Sequence, residues 1–369
     1  MPNIYVIIPV IVVASGVVFI THYLLYRILM RFFKFSRPIF RKIFFIGLIL
    51  LSVSFFLASA IIHFNSSFWA RIFYLFSAIW LGLFVNLFIA CCLILFLETL
   101  VRLFKLKVDF PRLGFFILIL SIIFSVYGCW NAFNPIIKNI EVKIKNLPEQ
   151  WQGKNIVQIS DLHLGYIHGV DFLEGVVNQV NILKPDLILI TGDLFDGMDG
   201  VLESLVPSLK KLQAQDGVFF VTGNHEVYLG LEGSLSVLEK SGIKALRNEM
   251  ININGLQIIG LDDVVLNVDA KLLEKINGFD RNKPSILMYH TPVNIEIIKQ
   301  SGVNLQLSGH THLGQLFPLS IFTHIAHKGY DYGLFTSGDF SIYITSGVGT
   351  WGPPMRTGNH PEIVNITIK

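Results

Sequence analysis

Four apolar runs without an Asp, Glu, Lys or Arg dominate the first 130 positions: Ile4–Tyr26, Ile43–Ile62, Phe73–Leu97 and Leu113–Trp130. Each is close to the roughly 20 residues that carry an α-helix across the hydrocarbon core of a bilayer. In lipid every backbone polar group must be paired internally, so such runs are helices. Four in succession would be unusual as core helices of a soluble domain. The first run has no basic residue before it and is long for a signal-peptide core, so it is read as a span.

The charges divide with the hydropathy. Residues 1–130 carry a net +9 and residues 131–369 a net −6. That split excludes a wholly soluble enzyme and a disordered chain. It also argues against nucleic acid as a partner, because the half able to fold in water is acidic. Arg27, Arg31, Lys34, Arg37, Arg41 and Lys42 lie between the first two runs, and Arg102, Lys105, Lys107 and Arg112 between the last two. Only Arg71 lies between the second and third. The positive-inside rule then puts both basic loops in the cytoplasm and residues 131–369 outside it. The expected location is an inner or plasma membrane, with membrane lipid as a neighbour and an extracytoplasmic soluble domain. His22 and Asn86, inside spans with no ionic partner in the pattern, read as helix-packing contacts. Cys91, Cys92 and Cys129 all fall in apolar runs, so the soluble half has neither a disulfide framework nor a thiolate metal site.

Asn131 to about residue 154 reads as a polar connector. Beyond it, short continuous apolar strands alternate with amphipathic segments, the pattern of an α/β domain over residues 155–369. Five strands deliver chemistry at their carboxyl ends. Ile156–Ser160 leads to Asp161 and His163, and Leu187–Thr191 leads to Gly192, Asp193 and Asp196. Val218–Thr222 leads to Gly223, Asn224, His225 and Glu226. Ser285–Tyr289 leads to His290, and Leu305–Ser308 leads to Gly309, His310 and His312. That edge of an α/β sheet is where ligands bind. Oxygen and imidazole donors without sulfur suit divalent Mn, Fe or Zn. The donor count is enough for two ions sharing one carboxylate, an arrangement suited to displacement at phosphorus.

The series Asp-x-His, Gly-Asp-x-x-Asp, Gly-Asn-His-Glu, His and Gly-His-x-His, complete and in order, resembles that of the calcineurin-like metallophosphoesterases, and most nearly their membrane-anchored bacterial branch. The resemblance implies a two-layer β-sandwich flanked by helices with a binuclear metal centre at one edge. It implies Asp161, His163 and His312 on one ion, Asn224, His290 and His310 on the other, and Asp193 bridging them. It further implies hydrolysis of a phosphoester (a mono-, di- or pyrophosphate) by a metal-bound hydroxide. His225 then faces substrate and assists the leaving oxygen, and the Asp196 carboxylate orients the His225 imidazole. Asn224 and His225 line the substrate site. Arg356, in a Gly-Pro-Pro-Met-Arg tail that also resembles the branch, is a further candidate for substrate phosphate. Leu313 stands where the branch has a small residue. Two alternatives accompany this reading. One is a lipid-directed pyrophosphatase of the type that cleaves UDP-2,3-diacylglucosamine in lipid A synthesis. The other is a non-catalytic membrane binding protein. Asp262-Asp263 reads as a turn, and Asp199 and Glu226 as residues behind the ligands or in solvent. No protein partner is indicated.

Overall fold

The computed structural model describes residues 4–33, 37–197, 202–263 and 278–369. Asp199 lies outside the described residues. The chain divides into two compact units: residues 1–130 with 352–357, and residues 131–351 with 358–369.

The first unit contains helices α1 (Ile4–Phe33), α2 (Pro38–Phe64), α3 (Phe68–Leu103) and α4 (Phe110–Ala132). All four are long and apolar enough to cross a membrane. Pairwise polar contacts link α1 to α3 and α3 to α4. Trp80 Nε1 donates to His22 Nε2 at 3.1 Å, and His22 Nδ1 donates to Val18 O at 2.8 Å. Asn86 Nδ2 donates to Ser125 Oγ at 2.9 Å. Glu98, at the end of α3, pairs with Arg31 at the end of α1 at 2.9 Å and with Arg102 at 2.5 Å. The two basic loops therefore lie at one end of the unit. Residues 352–357 pack among these helices. The Arg356 amide donates to Gly128 O at 2.9 Å, and a Cβ on Gly82 would stand 3.0 Å from Met355 Cε.

The second unit is built on strands β1 (Ile136–Val142), β2 (Asn155–Ile159), β3 (Leu187–Thr191), β4 (Val218–Val221), β5 (Lys244–Ala245), β6 (Glu249–Ile253), β7 (Leu256–Leu261), β8 (Ser285–Tyr289), β9 (Leu305–Ser308), β10 (Gly333–Ser337), β11 (Phe340–Ile344) and β12 (Glu362–Ile368). They form two six-stranded sheets, ordered β1-β12-β2-β3-β4-β5 and β10-β11-β9-β8-β7-β6. Because side chains alternate across a strand, each apolar strand supplies two cores. Leu187 and Leu189 join Ile286, Met288, Leu305 and Leu307 between the sheets, while Ile188 and Ile190 face the helices Val170–Ile182, Leu202–Leu209 and Leu231–Ser241. Leu287, Ile342 and Ile344 pack with Ile298 of the helix Ile295–Gln300 on the outer face of the second sheet. The result is a β-sandwich with helices outside.

Residues 131–154 are part of this unit and not a free connector. β1 pairs in parallel with β12, and Trp151 is fully buried with Nε1 donating to Ile253 O at 3.0 Å. β1 is an edge strand with most side chains exposed, so it shows no alternation of apolar and polar positions.

Candidate metal centre

Strands β2, β3 and β4 are parallel neighbours in one sheet, and β8 and β9 in the other. Their carboxyl ends bring the five sequence blocks together. One group contains Asp161, His163 and His312, and a second contains Asp193, His290 and His310. A third, His163 with Asp193 and His225, overlaps both. Asn224 Oδ1 lies 3.0 Å from His310 Nδ1. Asp193 is common to the second and third groups.

The backbone here is held in a costly form. Asp161, His163, Asp193, His310 and His312 all have φ between +47° and +72°. Left-handed backbone costs an L-residue other than Gly about 1–2 kcal/mol, and it persists where surrounding contacts over-determine it. Those contacts are visible. The His310 amide donates to Asp161 Oδ1 at 2.9 Å, and the His225 amide donates to Asp193 Oδ1 at 2.9 Å. The Asp161 carboxylate thus latches a loop of one sheet to a loop of the other, and the Asp193 carboxylate latches two loops of the same sheet. Gly192 combines φ +89° with a close approach, since a Cβ there would stand 2.6 Å from His290 Nδ1.

The donor set fits divalent cations. His163 Nε2 and His312 Nε2 face each other at 3.0 Å, with Asp161 Oδ1 3.5 Å from His312 Nε2. His290 Nδ1 donates to Thr191 O at 2.8 Å, which directs Nε2 towards Asp193 Oδ2 at 3.1 Å. That Nε2 and His163 Nδ1 are buried without a well-aligned hydrogen bond. Burial alone would raise the Asp193 pKa, but the neighbouring His290 and His163 hold it well below the carboxylate range. Burial alone would lower the His290 pKa, but Asp193 holds it well above the usual imidazole value. His310 is pushed down to about 4 by burial and by His290. Converging lone pairs and like charges in a water-poor edge are the conditions a bound cation relieves.

His225 stands beside this cluster, its ring 4.5 Å from that of His163. Its Nδ1 donates to the backbone carbonyl of Asp196 at 2.9 Å. This corrects the expected role of Asp196 at the level of atoms: its main chain orients His225, and its carboxylate lies 3.6 Å from His163 Nδ1. The turn after β3 brings the carbonyl, not the side chain, to His225. Burial, with His163 next to it, lowers the His225 pKa. Exposed Tyr228 and Trp351 flank the ring at 5.5 and 6.3 Å. Arg356 is not among these groups; it is fully buried and belongs to the helical unit.

Glu226 is the residue whose part sequence reading left open. It is fully buried and accepts from the amides of Gly223 at 2.7 Å, Asp193 at 3.1 Å and Phe195 at 3.1 Å. It therefore ties the β3 loop to the β4 loop. Burial, with Asp193 beside it, raises its pKa to about 7. Its position in Gly-Asn-His-Glu was the available signal. Asp262 also differs from a simple turn, since it pairs with Arg247 at 2.8 Å and accepts from Thr222 Oγ1 at 3.0 Å.

Residues 154–314 match the family model for calcineurin-like phosphoesterase. A Danio rerio transmembrane protein with a metallophosphoesterase domain is 33% identical over 274 residues, covering 68% of this chain and 62% of that protein. The match thus spans less than two thirds of that relative's length. An uncharacterized metallophosphoesterase of Helicobacter pylori is 33% identical over 275 residues, covering 70% of each chain. An Aquifex aeolicus protein of the same description is 35% identical over 259 residues, covering 68% of this chain and 98% of its own. Strand-end ligands on a two-sheet domain and identities of this extent lead to one statement: the chain belongs to the calcineurin-like metallophosphoesterase family, with four helices of membrane-spanning length ahead of its phosphoesterase domain.

Proposed function

We propose that the protein hydrolyses a phosphoester at a two-metal centre held by Asp161, His163, Asp193, Asn224, His290, His310 and His312. The observation that supports this most is the convergence of these side chains from five strand ends, with Asp193 shared between two ligand groups. Two divalent ions, of which Mn, Fe and Zn suit the donors, would supply Lewis acidity towards the phosphoryl oxygens and the attacking water. The chain's own residues do the rest. The Asp161 and Asp193 carboxylates fix the ligand loops through the His310 and His225 amides. The Asp196 carbonyl accepts from His225 Nδ1, so Nδ1 carries the hydrogen and Nε2 is the atom that gains and loses a proton. In the protonated form, Nε2–H donates to the leaving oxygen as general acid. Asn224 positions the substrate beside His225.

The soluble unit is proposed to lie outside the cytoplasm. The clustering of Arg31, Glu98 and Arg102 supports grouping both basic loops on one side, and the positive-inside rule makes that side cytoplasmic. This placement disfavours a cytoplasmic nucleotide–lipid such as UDP-2,3-diacylglucosamine as substrate. Arg356 is proposed to serve the helical unit, since its full burial keeps it from bulk substrate.

The test uses detergent-purified full-length protein. Elemental analysis should find about two divalent ions per chain, and bis-p-nitrophenyl phosphate should be turned over in a chelator-sensitive way. A chain that binds both ions without turning over any of a panel of mono-, di- and pyrophosphate esters would leave the non-catalytic binding role instead.

A further inference from the structure

We infer that the short helix Ser320–Ala326 is a membrane-surface element that brings the metal centre to phosphoesters lying in the bilayer surface. The substrate half of this inference rests on the phosphoesterase reading; the docking half does not. No residue of this helix is buried. Phe317, Ile321, Phe322 and Ile325 are 54%, 57%, 67% and 69% exposed. Single exposed apolar residues are ordinary, but four large ones within nine positions form a patch that water does not stabilise. The sequence around them suits the edge of a lipid layer. Residues 312–330 contain no Asp or Glu and Lys328 follows the apolar side chains, while His324, between Phe322 and Ile325, is paired with Asp331 at 3.1 Å. Apolar residues beside cationic and aromatic ones are the composition of interfacial helices.

The occupant of the patch is a lipid surface, because this chain carries its own membrane spans and the patch borders the connection to them. Gln315 Nε2 donates to Trp351 O, and the Trp351 amide donates to Gln315 Oε1, both at 3.1 Å. The Gly358 amide donates to Gln315 O at 3.1 Å. Residues 351 and 358 flank the 352–357 segment that belongs with the helical unit. Gln315 thus pins both ends of that excursion two residues ahead of Phe317. Trp351, itself 59% exposed, adds an aromatic anchor at the same place. The patch also adjoins the chemistry. The helix starts eight residues after His312, and His327, just past its end, lies with its ring 6.0 Å from that of His310. Ala326 and His327 help to line a cavity of about 600 Å³ shared with Pro292 and Val293, close behind His290. An amphiphile held at this surface can place its phosphate at the metals and its apolar part along the helix.

The test places a single cysteine at Phe322 in full-length protein whose three native cysteines are serine, labels it with an environment-sensitive fluorophore, and reconstitutes it into phosphatidylethanolamine–phosphatidylglycerol vesicles. Lipids brominated on their acyl chains should quench the Phe322→Cys label and leave an Ile182→Cys label unquenched, Ile182 being an exposed residue of the helix Val170–Ile182. Quenching at both positions, or at neither, overturns the docking. A second arm compares turnover of phosphatidylglycerol in vesicles with that of bis-p-nitrophenyl phosphate. In the Ile321→Ser, Phe322→Ser, Ile325→Ser variant the vesicle-to-soluble ratio should fall by about tenfold or more, as lost apolar burial predicts. An unchanged ratio, or wild-type turnover of the soluble ester alone, overturns the substrate half. Absence of turnover on both substrates would defeat the phosphoesterase reading, and the quenching result would still decide the docking.

Discussion

Both units bury polar side chains, but they treat them differently. In the helical unit His22 has a donor in Trp80 and an acceptor in Val18, Asn86 donates to Ser125, and Glu98 meets two arginines. In the sandwich, Glu362 is similarly satisfied: it accepts from Tyr332, Tyr343, Thr345 and the Ser346 amide. Isolated buried atoms without an aligned partner occur in both units, Ser77 and Ser121 Oγ among the helices and Gln306 Oε1 in the sandwich, but at the strand-end edge they are imidazole nitrogens beside carboxylates. Two imidazole nitrogens point at each other, His290 Nε2 and His163 Nδ1 lack aligned partners, and five ligand residues sit in left-handed backbone. Burial of polar groups alone does not mark a functional site. Burial of several converging imidazole and carboxylate groups on a strained backbone does, because a bound cation would compensate their desolvation.

This contrast can be broken by experiment. The largest effect belongs to Asp193→Ala, which removes the shared carboxylate and should reduce both metal content and turnover to background. Two ions retained in elemental analysis would show that the groups do not depend on Asp193. His225→Ala should keep both ions and lower turnover by roughly 10²–10⁴-fold, the range for a lost general acid. Loss of metal in that variant would instead make His225 a ligand, as its grouping with His163 and Asp193 permits. Glu226→Gln places an amide NH₂ among three backbone donors. It should weaken metal affinity by about 10–100-fold, as outer-shell changes do, measured by competition with a chelator. Glu362→Gln serves as its contrast, since that residue touches no ligand group and should lower thermal stability while sparing metal affinity. The smallest effect is expected in the helical unit. Trp80→Phe removes the donor to His22 and should cost about 0.6 kcal/mol, a typical interhelical hydrogen bond in a membrane protein. Thermal unfolding in detergent reads this, and metal content should not move.

Much of the site was legible because ligands at strand ends are set by local chain order. Asp193, Asn224 and His290 each follow an apolar run of four residues, while Asp161 and His310 follow short strands that a single Gln interrupts, and such strands between turn residues are readable without tertiary knowledge. The atom by which Asp196 holds His225 was not legible, since residue type cannot choose between a residue's own carboxylate and its own carbonyl. The clamp made by Glu226 was hidden for the same reason: its partners are backbone amides, which every residue carries. The exposed helix Ser320–Ala326 was also missed, because seven residues are too few to show a period.

The sequence by itself determined the four helices of membrane-spanning length and the chemical identity of the candidate ligands at the strand ends. An uncharged run of about 20 residues has no soluble alternative of comparable stability, and imidazole, carboxylate and amide donors carry their affinity with them. The tertiary structure alone decided the rest. It paired β1 with β12 across more than two hundred residues, set residues 352–357 among the helices, and held five ligand residues at positive φ. Those features rest on contacts between segments far apart in the chain. Their stabilisation exists only when both partners are in place, so no local pattern of residues records it.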